Sequence, residues 1–115
     1  MQGAIGIHHL GIAVADLDAA AERYARLIGA TVDHRAEAEE LGTRALALRT
    51  PQGPMIELVA PFHDDTPVGR FLAKRGEGMH HVAYEVADID AEVARLVADG
   101  VDMIDERPCA GLFGL

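Results

Sequence analysis

The sequence predicts an α+β fold assembled from two related β-α-β-β-β units, the second of them incomplete within 115 residues. Two observations predict it. First, the chain repeats itself: His8-His9-Leu10-Gly11-Ile12-Ala13-Val14-Ala15-Asp16-Leu17-Asp18-Ala19 aligns with His80-His81-Val82-Ala83-Tyr84-Glu85-Val86-Ala87-Asp88-Ile89-Asp90-Ala91 at a constant offset, 80 − 8 = 72. The match continues at Arg23/Arg95 and, after one deletion, at Gly29/Gly100. A register this long is a structural repeat, not an accident of Ala-rich composition. Second, hydropathy in each copy passes from a two-residue to a helical period at the same place, next to an aspartate that suits a helix N-cap.

Each element follows in order. Ile5 to Val14 alternates as a strand, with Ile7, Gly11 and Ala13 on the face of His9 and with His8, Leu10, Ile12 and Val14 on the other. Asp16 caps a helix whose apolar stripe is Leu17, Ala21, Tyr24 and Ile28, and Gly29 stops it. Three strands are expected next, at Thr31 to Arg35, Thr43 to Thr50 and Met55 to Ala60, with Pro51-Gln52-Gly53-Pro54 as the turn between the last two. These complete module one, about residues 4–60. The linker, 61–78, carries a short helix that Thr66 caps, Pro67 opens and Gly76 ends. Module two, 79–115, repeats the strand at His81 to Val86, the cap at Asp88, and a helix striped by Ile89, Val93, Leu96 and Val97 that stops at Gly100. A further strand is expected at Val101 to Ile104. The whole reads as a single domain.

Composition narrows the function. Ten Lys and Arg against 19 Asp and Glu give a net charge of −9. That charge disfavours nucleic acid and anionic membranes, which need a dense cationic surface. No apolar run approaches the roughly 18 residues that span a bilayer. The first residues lack the shape of a signal peptide, and the one cysteine, Cys109, rules out an intrachain disulfide. A cytoplasmic address is the expectation.

The chemistry-bearing residues are few. His9 and His81 occupy the same phase of two equivalent strands, with small neighbours (Gly11, Ala13, Ala83) that leave room above the imidazoles. Two such histidines in register make a plausible half of a metal site. Glu57 is a carboxylate in the middle of the apolar strand Met55-Ile56-Glu57-Leu58-Val59-Ala60. Buried and unpaired it costs several kcal/mol, so it needs a partner. A metal shared with His9 and His81 accounts for it economically. His8 and His80 are expected to point the other way, as packed or rim residues. Glu37, Glu39 and Glu40 precede Leu41-Gly42 as an acidic loop. Cys109 has no basic or histidine neighbour to activate it. No nucleophile elbow, P-loop or dinucleotide fingerprint is present.

Three segments together resemble the vicinal oxygen chelate superfamily and, within it, the methylmalonyl-CoA epimerases. They are His9-Leu10-Gly11-Ile12-Ala13-Val14, Ile56-Glu57-Leu58, and the run from Thr66 to Val86 with its Phe71-Leu72, Gly76-Glu77-Gly78 and His80-His81 succession. The resemblance implies paired βαβββ modules forming a half-barrel around one divalent metal, often cobalt, with zinc, nickel, manganese or magnesium as alternatives. It implies His9, Glu57 and His81 as metal ligands and Glu40 as a catalytic base. The reaction implied is inversion at C2 of methylmalonyl-CoA, so the partner is an acyl-CoA substrate. The offset places the counterpart of Glu57 near 57 + 72 = 129, beyond Leu115. The family's fourth ligand and second base are therefore expected outside this chain, which by itself is expected to exchange the C2 proton faster than it inverts the centre. Exposed sheet edges favour a homodimer. A glyoxalase-type isomerase, and a metal-free small-molecule binding module, are the competing readings. Arg70, Lys74 and Arg75 are candidates for meeting the CoA phosphates, against a plain solvated helix face.

Overall fold

A computed structural model describes residues 3–101. Among them the elements run β1 (Ala4–Ala13), α1 (Leu17–Ile28), β2 (Thr31–Ala38), a 3-10 turn (Glu39–Leu41), β3 (Thr43–Arg49), β4 (Met55–Pro61), α2 (Pro67–Arg75), β5 (Gly78–Val86) and α3 (Ile89–Ala98). The helix boundaries follow the chemistry expected of them. Asp16 and Asp88 accept from the backbone N–H groups of Ala19 and Ala91 at the two homologous caps, and Gly29 ends α1 at φ 71°. Thr66 caps α2 through Gly69 N–H, with Pro67 in the first turn. All but Val101 of the strand expected at Val101 to Ile104, like Cys109, lies outside the described residues. No helix among those described is long and apolar enough to cross a membrane.

The strands form one open sheet in the order β2-β3-β4-β1-β5. β1 lies at the junction of the two repeats, parallel to β4 on one side and antiparallel to β5 on the other. The two faces are used differently. On one, α1 covers Val14, Leu46, Leu48, Leu58 and Ala60, and Ile12, Leu17, Ala21, Tyr24 and Ile56 close around them. Within α1 the fully buried position is Ala20, while Ile28, expected in the stripe, is half exposed at the last turn. On the other face α2 places Val68, Phe71 and Leu72 over Ala13, Ala45 and Val59. Gly69 lets the chain at His63 and Asp64 fold back against the start of α2, since a Cβ there would meet the Asp64 carbonyl oxygen at 2.5 Å. Val59 is the next residue after Glu57 on this second face, so α2 closes one end of the surface that carries the histidines.

Two details depart from expectation. β2 runs on to Ala38, so Glu37 stands in a strand opposite Arg44 and not in a loop. The β2–β3 ladder continues through Ala36–Ala45, Glu37–Arg44 and Ala38–Thr43, and Arg44 lies over the Phe62 ring. β1 and β5 also pair with two irregularities that matter for the site. Ile7 pairs with Tyr84 and His9 with Ala83, which leaves His8 as an extra residue. Gly11 pairs with His81 and Ile12 with Met79, which leaves His80 extra. Each repeat carries a β-bulge at the first histidine of its His-His pair.

Candidate metal centre

Strand register brings together residues far apart in the sequence. Gly11 on β1 faces Glu57 on β4 to one side and His81 on β5 to the other. His9 stands one step along the same face of β1. The result is a cluster in which His9 Nε2 lies 3.2 Å from His81 Nε2, and each of these nitrogens lies 3.6 Å from a different oxygen of Glu57. All three sequence candidates for metal ligation meet here, and His9, Glu57 and His81 have the composition and convergence of a metal-ligand group. Gly11 makes the convergence possible, because its missing side chain is the space that the His81 ring fills.

The electrostatics of the cluster are unfavourable for charge. Glu57 is 5% exposed. Burial pushes its carboxyl above the usual carboxylate range. Burial also draws His9 below the ordinary imidazole value, helped by the neighbouring His81 and His8. His81 is lowered in the same way, by burial and then by His80. Two neutral imidazoles and a carboxylate are the donor set that a divalent transition metal takes. The spacing agrees too: donors about 2.0–2.2 Å from a shared ion, at right to tetrahedral angles, lie about 2.8–3.6 Å apart.

The outer histidines are where sequence alternation misled. A strict two-residue period sends His8 and His80 to the opposite face. Instead His8 Nδ1 lies 2.9 Å from His9 Nδ1, and His80 Nδ1 lies 2.9 Å from His81 Nδ1. The bulges explain it, since an extra residue breaks the alternation and re-aims its side chain. The four rings form an edge-to-face series, His8–His9–His81–His80, with centroids 5.2–5.3 Å apart. Nothing in a single strand's sequence signals a bulge; the doubled His-His motif was the available clue.

Glu40 lies apart from this cluster, exposed in the 3-10 turn ahead of Gly42. That turn is held from behind: the Gly42 carbonyl accepts from Phe62 N–H at 2.8 Å, and a Cβ on Gly42 would meet Thr66 Cγ2 at 2.5 Å. Thr43, which follows it, pairs with Pro61, four residues beyond Glu57 on β4. His34, for which the sequence offered no partner, contacts Asp33, and the His63 carbonyl accepts from the Thr66 hydroxyl. Arg70 is engaged by Asp65, while Arg75 lies over the Phe71 ring.

A family model described as the Glyoxalase/Bleomycin resistance protein/Dioxygenase superfamily matches residues 8–114. The chain belongs to that superfamily. Among curated proteins in it, the mitochondrial methylmalonyl-CoA epimerase of Dictyostelium discoideum is 34% identical over 97% of this chain and 69% of its own length. An ethylmalonyl-CoA/methylmalonyl-CoA epimerase of Cereibacter sphaeroides is 35% identical over 94% of this chain and 81% of its own. Among solved superfamily structures, a methylmalonyl-CoA epimerase in complex with methylmalonyl-CoA and NH4+ superposes with a TM-score of 0.90 at 37% identity, over 97% of this chain and 81% of that one. The epimerase from Mycobacterium tuberculosis gives 0.92 at 35% identity, over 99% and 79%.

Proposed function

We propose that the chain is a methylmalonyl-CoA epimerase acting through a divalent metal held by His9, Glu57 and His81. The observation that carries this reading is the convergence of three electron-pair donors on one point, two imidazole Nε2 atoms and the buried Glu57 carboxylate, in a chain similar over nearly its whole length to epimerases of that substrate. A donor set with two imidazoles suits cobalt, nickel or zinc better than magnesium, and cobalt is the ion we assign. Bound there, the ion supplies Lewis-acid stabilisation of negative charge on the substrate's oxygens as the C2 proton leaves.

The chain's own residues supply the rest. The space assigned to an acyl group is over the ligand cluster, on the face of the sheet that also carries α2. α2 closes one end of that space with Val68, Phe71 and Leu72, an apolar wall that limits water near a carbanion-like centre. Glu40, in its anchored turn, is the base that removes the proton at C2. Lys74 and Arg75 on the last turn of α2 lie uncommitted to any carboxylate partner among the described residues and are available to the CoA phosphates.

The test is substrate choice with metal control. Methylmalonyl-CoA and a glutathione hemithioacetal are offered to protein reconstituted with cobalt and to chelator-treated protein. Proton exchange at C2 of methylmalonyl-CoA, present with cobalt and lost on chelation, supports the reading. Turnover of the hemithioacetal alone would assign the chain to a glyoxalase-type isomerase, and binding of either compound without metal or turnover would make it a ligand cup.

A further inference from the structure

The outer histidines are not spent by this chemistry. We propose that His8 and His80 are positioning residues: each accepts, at its Nδ1, a hydrogen bond from the Nδ1–H of the histidine that follows it. With an ion bound, His9 and His81 are thereby held in the tautomer that turns an Nε2 lone pair toward the point they share with Glu57. The inference rests on reading His9, Glu57 and His81 as a metal centre and adds to it the device that prepares the two imidazoles.

The argument is a proton inventory. A neutral imidazole carries one N–H, and the other nitrogen is an acceptor. Both Nδ1–Nδ1 contacts are 2.9 Å, so one proton is shared in each pair. If the outer histidines were the donors, His9 and His81 would carry their protons on Nε2. Two N–H groups would then face each other at 3.2 Å, with the Glu57 oxygens 3.6 Å away, beyond good hydrogen-bond reach. If only one inner histidine donates outward, the other can bond it through Nε2–H at 3.2 Å, which satisfies the empty cluster and leaves no Nε2 lone pair for a cation. If both donate outward, Nε2 of both is unprotonated, and the space between them and Glu57 is lined by acceptors alone. That arrangement is uncomfortable when empty and suited to a cation. Hydrogen bonding at the far nitrogen is the general way in which a metal-bound histidine is held in one tautomer and one orientation.

The backbone makes the device twice. Both outer histidines are bulge residues of the β1–β5 pairing, which is what allows adjacent side chains to meet ring to ring. The His80 ring is further held edge-on by Phe71, with centroids 4.9 Å apart.

Two measurements test it. In zinc-loaded protein at about pH 8, above the usual imidazole range, ¹⁵N–¹H long-range correlations should show the Nε2–H tautomer for His8 and His80, whose Nδ1 atoms then accept from Nδ1–H of His9 and His81. The opposite assignment overturns the proposal. In titrations with zinc ions, His8→Leu and His80→Leu should bind about 10–100-fold more weakly than the parent. His8→Asn and His80→Asn, whose side-chain carbonyl can accept near the same place, should stay within a few-fold. Leucine variants that bind as tightly as the parent, or asparagine variants as weak as the leucine ones, would overturn it. If a leucine variant fails to fold, the asparagine variants and the parent's tautomers decide. A parent that binds no zinc would overturn the metal centre and this role together, whereas a zinc-binding parent whose leucine variants bind equally well overturns this role alone.

Discussion

The imidazole of His81 occupies the place of a side chain on Gly11: a Cβ built on Gly11 would lie 2.1 Å from His81 Cε1 and 2.5 Å from its Nε2. The two residues face each other across β1 and β5, so the contact is set by register. Gly11→Ala must therefore displace the ring. The expected result is a loss of metal affinity on the order of 10–100-fold, as for other disruptions of ligand orientation, with about 1–3 kcal/mol of overpacking strain. Isothermal titration and urea unfolding measure the two effects. An alanine variant that binds metal like the parent would show that the His81 ring does not have to lie over Gly11.

Glu57 opposes the stability of the metal-free protein. Its folded-state pKa is raised by burial. Folding therefore pays a charging cost that begins above the unfolded value, is complete above the folded one, and vanishes when pH falls below both. Glu57→Gln should stabilise the chelator-treated chain at neutral pH, and the gain should disappear under acid conditions near pH ~3. The same substitution should weaken metal binding. Urea unfolding across pH checks the sign, and a metal-free Gln variant less stable than the parent at neutral pH would refute it.

Metal binding should weaken on acidification, because protons compete for both imidazoles. His9 and His81 are held below the usual value of 6.5. The fall in affinity should therefore set in at lower pH than for two solvent-exposed histidines. Zinc titrations at a series of pH values read this directly. An onset above the ordinary imidazole range would contradict it.

Glu40→Ala should slow C2 proton exchange from methylmalonyl-CoA in deuterated water by about 10²–10⁴-fold, the range of a lost general base. Metal affinity should not change, since Glu40 is not part of the ligand cluster. Exchange at the parent's rate would make Glu40 a solvated acid of the turn.

Thr66 joins two structures that the site depends on. Its buried hydroxyl accepts from Gly69 N–H at 2.9 Å and donates to the His63 carbonyl at 3.0 Å, and its methyl packs under the turn at Gly42. Thr66→Ala should cost about 1–2 kcal/mol by chemical denaturation, and Thr66→Ser should recover most of it. A serine variant no better than alanine would assign the loss to the methyl contact.

Much of this protein could be read from its residues in order, because the signals are local. Asp16, Asp88 and Thr66 cap helices through atoms three residues away, Gly29 ends a helix by its own backbone freedom, and the offset between the repeats needs no coordinates. That His9, Glu57 and His81 would meet was legible for a related reason: a carboxylate in an apolar strand and two histidines in equivalent phases each call for a partner. Tertiary structure decided what depends on pairing between distant strands. The parallel register of β1 with β4 and the antiparallel register with β5 put Glu57 and His81 on either side of Gly11. Glu37 became a strand residue because β2 keeps pairing with β3 as far as Ala38 and Thr43. His8 and His80 were turned toward His9 and His81 by bulges, and a bulge belongs to two strands at once: it is a mismatch in their count, which neither strand's sequence contains.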